Sequence, residues 1–410
     1  MPLLSGTILG CAAIAGSYQL FQLFAAWWYL HRARRAWHAP PAGWSPPPVT
    51  VLKPLKGRGV ELYENLASFC RQEYPDYEIV CGVEDPADPA LGVVRQVQRD
   101  FPGTRIVVAV ERAPGANRKV ANLRHMMRHA RHDVLVLSDG DIRVRPGYLR
   151  ALVAPLADPA IGLTTCLYRG RAPRGAPAAL ESLFVNTDFT PMVMVAQLVE
   201  PFAYAFGASI AITRAALDRI GGLAAIADYL ADDFELGRRV AQTGSRPVLV
   251  PHVVDTVLDS TTFRDVWRHQ LRWARTYRVC RPFGWFCTIV THATLWGVAS
   301  LLVTRGTMVG WIAFAGAIGA RLTGLAGILL LLGDRETGRW LWLVPVKDLA
   351  TTFVWGAAFL GRRVNWSGQV LLVERDGRMV PLHPASVAVP VPVVEPGAPG
   401  DDERLHAAGT

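Results

Sequence analysis

Between residues 49 and 139, short apolar runs alternate with stretches whose apolar positions recur at helical spacing. Residues 49–55, 77–85, 105–111 and 133–139 read as strands, and 61–72, 90–101 and 120–131 as amphipathic helices between them. Such runs, bounded by turns, predict an α/β domain built on a mostly parallel sheet covered on both faces. Sheets of that kind bind ligands beyond the carboxyl ends of their strands. Further along, the segment from Asp233 to a Gly244 stop reads as a helix. Residues 267–275 read as another, with Arg268, Arg272 and Arg275 on neighbouring turns of one face.

The ends of the chain carry a different pattern. Residues 4–30 are apolar and almost uncharged, long enough to span a bilayer, for which about 20 residues are needed. Basic residues follow the stretch rather than precede it (His31, Arg32, Arg34, Arg35), which favours a retained anchor over a cleaved leader and places residue 31 onward in the cytoplasm. Residues 283–303, 308–332 and 340–360 are further candidate spans, giving about four in all. Four crossings put the tail outside, although Arg362 and Arg363 argue against that side. Arg321, Lys347 and Asp348 fall within these stretches and read as groups snorkelling to an interface or meeting a lipid head group.

The expected organisation is an anchor over 1–32, a cytoplasmic domain over 33–282, membrane helices over 283–362 and a partly disordered tail over 363–410. A proline-rich linker lies at 39–48. The composition agrees: of 410 residues, 51% are hydrophobic and 19% charged, too apolar for an ordinary soluble protein. The net charge of +9 suits anionic lipid or a phosphorylated substrate; no nucleic-acid-binding signature is visible. The six cysteines form no CxxC pair and read as buried thiols of a reducing compartment.

Candidate chemistry gathers at the strand ends. Lys53, Asp85 and Asp139 each close an apolar run, which directs an ammonium and two carboxylates to one edge of the sheet. Asp139 and Asp141 flank a glycine. They suit a hard divalent cation, which keeps one or two carboxylates and takes its other oxygens from substrate phosphates; Asp-Gly is also a common turn. In the pair Asp232-Asp233, one residue suffices to cap a helix, and the other is a candidate base for a hydroxyl proton. Lys119 and Arg272 are candidate cations for a leaving diphosphate. Trp273 is a candidate wall of the acceptor site, and the same basic helix equally suits an anionic bilayer surface.

In order, Lys53-Pro54-Leu55-Lys56-Gly57, Asp85 with Asp88-Pro89-Ala90, Lys119 with Asn122-Leu123, Ser138-Asp139-Gly140-Asp141-Ile142-Arg143-Val144, Asp233 and Arg272-Trp273 resemble the ceramide glucosyltransferase-like family of inverting membrane glycosyltransferases. The likeness covers residues 49–275. Within that family, Thr164-Thr165-Cys166-Leu167-Tyr168-Arg169-Gly170-Arg171, Phe206-Gly207-Ala208-Ser209-Ile210-Ala211 and His269-Gln270-Leu271-Arg272-Trp273-Ala274-Arg275-Thr276 are similar to the bacterial hopanoid-biosynthesis branch.

The resemblance implies a GT-A (Rossmann-like) fold and a divalent metal, Mg or Mn, at Asp139 and Asp141. It implies Asp85 on the uridine, Asp139 on the metal–pyrophosphate and Asp233 as the base. The implied reaction moves N-acetylglucosamine from UDP-GlcNAc to bacteriohopanetetrol at the bacterial inner membrane. The alternative is glucosylation of ceramide from UDP-glucose. A catalytically silent scaffold is opposed by the intact acidic set. His269 stands where the family's last motif opens with Gln or Arg, as a candidate hydrogen-bond donor to phosphate or acceptor. Asp141 stands where ceramide-specific relatives commonly have glycine.

Overall fold

In a computed structural model, residues 2–36, 43–366 and 369–382 are described. Part of the proline-rich linker and all of the tail beyond Pro384 lie outside the described residues. Strands β1 (Val49–Pro54), β2 (Tyr77–Val83), β3 (Arg105–Val110) and β4 (Val134–Leu137) form where the apolar runs predict them. β1 pairs in parallel with β2 and with β4, and β2 with β3. Successive side chains serve opposite faces. Val49 and Val51 pack with Leu66, Phe69 and Val94 on one face, and Leu52 packs with Val120, Leu123 and Met126 on the other. Cover on both sides explains strands that are apolar almost throughout.

The second half of the sheet departs from the parallel expectation. β5 (Ile142–Arg143), β6 (Ile161–Arg171), β7 (Ile210–Thr213) and β8 (Arg246–Val257) complete an eight-stranded order, β3-β2-β1-β4-β7-β6-β8-β5. β7 runs antiparallel to β4 and β6, β5 antiparallel to β8, and β6 parallel to β8. Apolar alternation reports burial and is blind to strand direction. The order reverses at β1 and β4, which makes the crevice at their carboxyl ends the switch point where ligands bind in such sheets.

Two helices are long and apolar enough to cross a membrane, within Leu3–His31 and over Met308–Leu332. A third crossing arises if Pro282–Thr291 and Ala293–Val303, bent by 53°, count as one span. This corrects the expectation of four. The stretch at 340–360 breaks into a short turn, Leu341–Leu343, and a 14-residue helix, Val344–Ala357. That helix is about 21 Å long, short of the roughly 30 Å hydrocarbon core.

The charges in these stretches do not snorkel; they pair with one another inside the protein. Arg321 donates to both oxygens of Asp348, at 3.0 and 2.9 Å, and to Asp188 at 2.6 Å. Lys347 lies 2.6 Å from Asp188 and 2.8 Å from Asp348. Gln19 of the N-terminal helix accepts from Arg321 at 2.9 Å, and Thr294 donates to Asp348 at 2.7 Å. Desolvated charges persist only with such partners. Asp188 sits in the turn Val185–Phe189 between two helices that follow β6, so the cluster fastens the α/β domain to the apolar helices.

The chain then returns to the α/β domain. β9 (Arg363–Trp366), β10 (Gln369–Val373) and β11 (Met379–Pro381) form a small antiparallel sheet that packs on Leu230. Met379 N donates to Asp228 O at 2.7 Å, and Leu230 N to Gly377 O at 3.0 Å. Residues 363–366 and 369–382 therefore pack on the folded domain.

Arg321→Met leaves Asp188 and Asp348 to share Lys347 alone. Loss of one partner in a buried ion cluster costs about 3–5 kcal/mol. Thermal unfolding of the detergent-purified variant is expected to show a clearly lowered midpoint, with partial recovery in Arg321→Lys.

Candidate active site

The crevice at β1 and β4 opens into a cavity of about 730 Å³, lined by Lys119, Asp139, Asp141, Asp232, Asp233, Arg272 and Trp273 among others. Five of these come from three separate connections, and the geometry shows how they meet. The helix Arg118–Met126 starts at Asn117, whose side-chain oxygen accepts Val120 N at 3.1 Å. This sets Lys119 in the first turn, facing the cavity. Its Nζ lies 2.6 Å from Asp139 Oδ1 and 3.7 Å from Asp232 Oδ2. Burial pulls the Lys119 ammonium down, but Asp139, Asp232 and Asp233 outweigh it and hold the group above the ordinary lysine range.

Asp233 lies in the first turn of the helix Asp232–Gln242. Gly207 N donates to its Oδ2 at 2.6 Å and Phe234 N to its Oδ1 at 2.8 Å. Burial and the neighbouring Asp232 nevertheless push its carboxyl up to about 6, against the pull of Lys119 and the two backbone donors. Neither aspartate caps the helix; the cap position falls to Ala231, and Asp232 accepts from Asn117 at 3.2 Å instead. Gly207 is the point of convergence. A Cβ there would stand 2.8 Å from Lys119 Nζ, 3.2 Å from Asp233 Oδ2 and 3.6 Å from Asp139 Oδ2.

Asp141 opens onto the cavity floor and accepts from Thr256 Oγ1 at 2.7 Å. Although its side chain is exposed, desolvation by the protein atoms around it and the nearby Asp139 push its carboxyl up to about 6, against Thr256 and Lys53. Two carboxylates that repel each other and face a common space fit a hard cation. Among the described residues no group of three His, Cys, Asp or Glu side chains could hold a metal. A cation at Asp139 and Asp141 would therefore complete its shell with ligand oxygens, as magnesium does on phosphates.

Two expected donor contacts fall elsewhere. Lys53 is fully buried beneath the Asp139 loop, not in the cavity lining. Its Nζ stands 4.0 Å from the Phe69 ring centroid and donates to the Asp139 carbonyl and, at 3.4 Å, to Ser138 Oγ. Burial lowers it to about 8 despite Asp141 and Asp139. It buttresses the carboxylate loop from below. Asp85 is exposed outside the lining and accepts from Ala87 N at 2.8 Å. The lining includes Glu84 instead, paired with Arg118 at 2.7 Å. A strand-end rule fixes the edge on which a charge sits, not the direction in which it points.

Arg272, His269 and Trp273 share the helix Phe263–Cys280, which begins with a capping box between Thr262 and Asp265. All three line the cavity. Among the described residues no carboxylate forms an ion pair with Arg272, and burial holds its guanidinium below the ordinary arginine range. His269 Nδ1 lies 3.0 Å from Glu181, a buried carboxylate that also accepts from Ser260 Oγ. The Glu181 hydrogen bond raises the imidazole above its usual value against the opposing pull of burial. Glu181 carries no role in the sequence reading. Asp232 stands there only as one of a pair offered for cap or base, and Gly207 only within a motif; the structure gives both a place beside Lys119. A single carboxylate within the apolar run 178–184 was the available signal for Glu181.

From this polar end the cavity continues past Phe184, Phe189, Val193 and Tyr204 into the helix bundle. There it meets Gln19, Gln22, Asp188, His292, Arg321 and Asp348. It thus has two polar ends joined by an apolar middle, and the second end is the ion cluster that ties the domain to the bundle.

A sequence profile described as Glycosyl transferase family 21 matches residues 8–379. Ceramide glucosyltransferase 1 of Caenorhabditis elegans is 26% identical over 245 residues, 59% of this chain and 52% of that protein. Ceramide glucosyltransferase 3 of the same organism is 27% identical over 209 residues, 50% of this chain and 45% of that protein. The chain spans about half the length of these curated relatives. Among solved structures, a mannosyltransferase from Pyrobaculum calidifontis in complex with GDP-Man and Mn2+ is 22% identical. It aligns over 85% of this chain and 98% of its own with a TM-score of 0.47. S. aureus TarS 1–349 in complex with UDP-GlcNAc is 14% identical over 81% of this chain and 98% of its own, with a TM-score of 0.38.

Gly207→Ala tests the convergence. The added methyl would stand 2.8 Å from the Lys119 ammonium, at the flexible end of its side chain, and 3.2 Å from Asp233 Oδ2. Misplacing reacting groups by about 1 Å costs about 100-fold in rate, and the smaller shift needed here costs about tenfold. Any transfer reaction at this site is expected to fall by that order while the thermal midpoint holds. An unchanged rate would detach Lys119 and Asp233 from the chemistry.

Proposed function

We propose a reaction for the chain from one premise: it belongs to glycosyl transferase family 21. The reaction moves a hexose from a UDP-sugar to a hydroxyl of a membrane lipid, with inversion at the anomeric carbon. The observation that carries this reading is the single cavity that joins a cluster of carboxylates and cations to the apolar helices. A water-soluble donor fits the polar end, and a lipid acceptor reaches it from the bundle between those helices and the helix bearing Arg272.

The chain's own groups suit the steps. Asp233 takes the proton of the acceptor hydroxyl as its oxygen bonds to the anomeric carbon and the bond to the diphosphate oxygen breaks. The two backbone donors fix the Asp233 carboxylate in place. Lys119 and Arg272 stabilise the negative charge that collects on the leaving UDP. A divalent cation, Mg or Mn, held by Asp139 and Asp141 supplies further neutralisation of that charge when bound. Glu181 orients His269 toward the diphosphate or acceptor, and Trp273 walls the acceptor path.

The curated relatives are ceramide glucosyltransferases, which supports ceramide and UDP-glucose over the expected bacteriohopanetetrol and UDP-GlcNAc. The hopanoid reading rests only on the sequence likeness around Thr165, Gly207 and His269. The α/β domain is assigned to the cytoplasmic face of a bacterial membrane, on the side of His31, Arg362 and Arg363. Incubating the purified chain with each lipid and each UDP-sugar, with products read by mass spectrometry, distinguishes these pairs. Absence of acceptor-dependent UDP release with every pair would contradict the reaction itself.

Asp233→Asn is expected to abolish transfer, by about 100-fold or more, while calorimetry still detects UDP-sugar binding. Because the base acts ionised and its carboxyl sits at about 6, the wild-type rate is expected to fall as pH drops through that value. Full activity in the variant would remove Asp233 as the base. Asp139→Ala, or a chelator, is expected to stop turnover, with Mg or Mn restoring the chelated enzyme. Unchanged rates in chelator would defeat the metal assignment.

A further inference from the structure

A second cavity, of about 530 Å³, borders the helix Phe263–Cys280 away from the donor site. Arg275 lines it while Arg272 lines the donor cavity, which corrects the expectation that the two share one face. This second cavity is lined by Arg275, Arg278, Arg362 and Arg363 with Phe359, Leu360, Gly361 and Leu372, and holds no acidic side chain. We propose that these four arginines form a binding site for the phosphate of an anionic membrane phospholipid. Nothing in the proposed transfer reaction uses them, and the proposal stands apart from it.

The hollow is constructed rather than incidental. The chain turns at Gly361, with φ of +89°, and brings Arg362 and Arg363 back over the helix. Arg275 holds that turn by donating to Leu360 O at 2.8 Å and to Arg363 O. The Nε atoms of Arg275 and Arg278 are both buried with no hydrogen-bond partner. Among the described residues no carboxylate forms an ion pair with any of the four arginines. Arg281 on Glu200 and Arg321 on Asp188 and Asp348 show the usual arrangement nearby. Burial and the adjacent Arg278 pull the Arg275 guanidinium below the ordinary arginine range.

Like charges gathered in one hollow call for an anion. Phosphate oxygens are the acceptors that planar guanidinium forks match best. The rim favours a lipid as the source of that phosphate. Leu360 and Phe359 border the hollow at 74% and 42% exposed, and Phe353, on the helix leading to it, is 73% exposed. A basic pocket with an apolar border beside membrane helices is the setting in which anionic head groups are bound. The same helix presents His269, Arg272 and Trp273 to the donor cavity, so a lipid bound here would help fix their position.

The test uses the full chain in a neutral detergent, titrated with short-chain phosphatidylglycerol, with phosphatidylcholine of equal chain length, and with inorganic phosphate. Binding is read by native mass spectrometry and tryptophan fluorescence. Phosphatidylglycerol is expected to bind at least about tenfold tighter than either control. The double variant Arg278→Gln and Arg362→Gln spares the Arg275 contacts and is expected to lose that preference. The corresponding double Lys variant is expected to keep part of it. Equal binding of the two lipids by the wild-type chain would overturn the proposal without recourse to any variant. So would undiminished phosphatidylglycerol binding by a folded Gln variant. Inorganic phosphate binding as tightly as phosphatidylglycerol would overturn the lipid assignment.

Discussion

The arrangement of the whole site follows from one ion cluster, the Lys119 ammonium among Asp139, Asp232 and Asp233. Each of these carboxylates belongs to a connection that the sheet delivers to the β1–β4 crevice or beside it, and Gly207 leaves the room for them to meet. With Asp141 included, negative charge exceeds positive at this end of the cavity. Desolvation first, and that surplus second, raise Asp141 and Asp233 to about 6. Together they are the physical reason the site suits a cation below and a proton acceptor above.

The second ion cluster works on the same principle in a drier setting. Arg321 and Lys347 against Asp188 and Asp348 balance in charge, and their geometry is bidentate where Arg321 meets Asp348. Such a cluster contributes specificity of docking more than raw stability. It fixes the α/β domain on the apolar helices in one position. One cavity is lined by residues of both clusters and by the aromatic side chains of Phe184, Phe189 and Tyr204.

Much of this was legible along the chain. The strands and helices of residues 49–139 stand within a few residues of their expected positions, because burial on both faces imposes uninterrupted apolar strands. Asp139, Asp141, Asp233, Lys119, Arg272, His269 and Trp273 do share one cavity. Lys53 and Asp85 do not, because one is locked under the loop by Phe69 and Ser138 and the other turns outward. The antiparallel β7 was invisible, since its four residues carry no mark of direction. The fourth span failed because hydropathy does not register the break at Leu341–Leu343, which leaves a helix of 14 residues, too short to cross. Glu181 is a tertiary matter: it becomes meaningful only when the helix carrying His269 packs against it.

The central claim is that donor and acceptor meet at Asp233 in the cavity shared by the carboxylates and the apolar helices. A structure of the full chain with a UDP-sugar, Mn2+ and a ceramide or hopanoid acceptor tests it most directly. The account predicts diphosphate oxygens between Lys119 and the Asp139–Asp141 pair. It also predicts an acceptor hydroxyl within about 3.5 Å of both the anomeric carbon and an Asp233 oxygen. Sugar nucleotide bound away from these carboxylates, or an acceptor hydroxyl that never reaches Asp233, would contradict it.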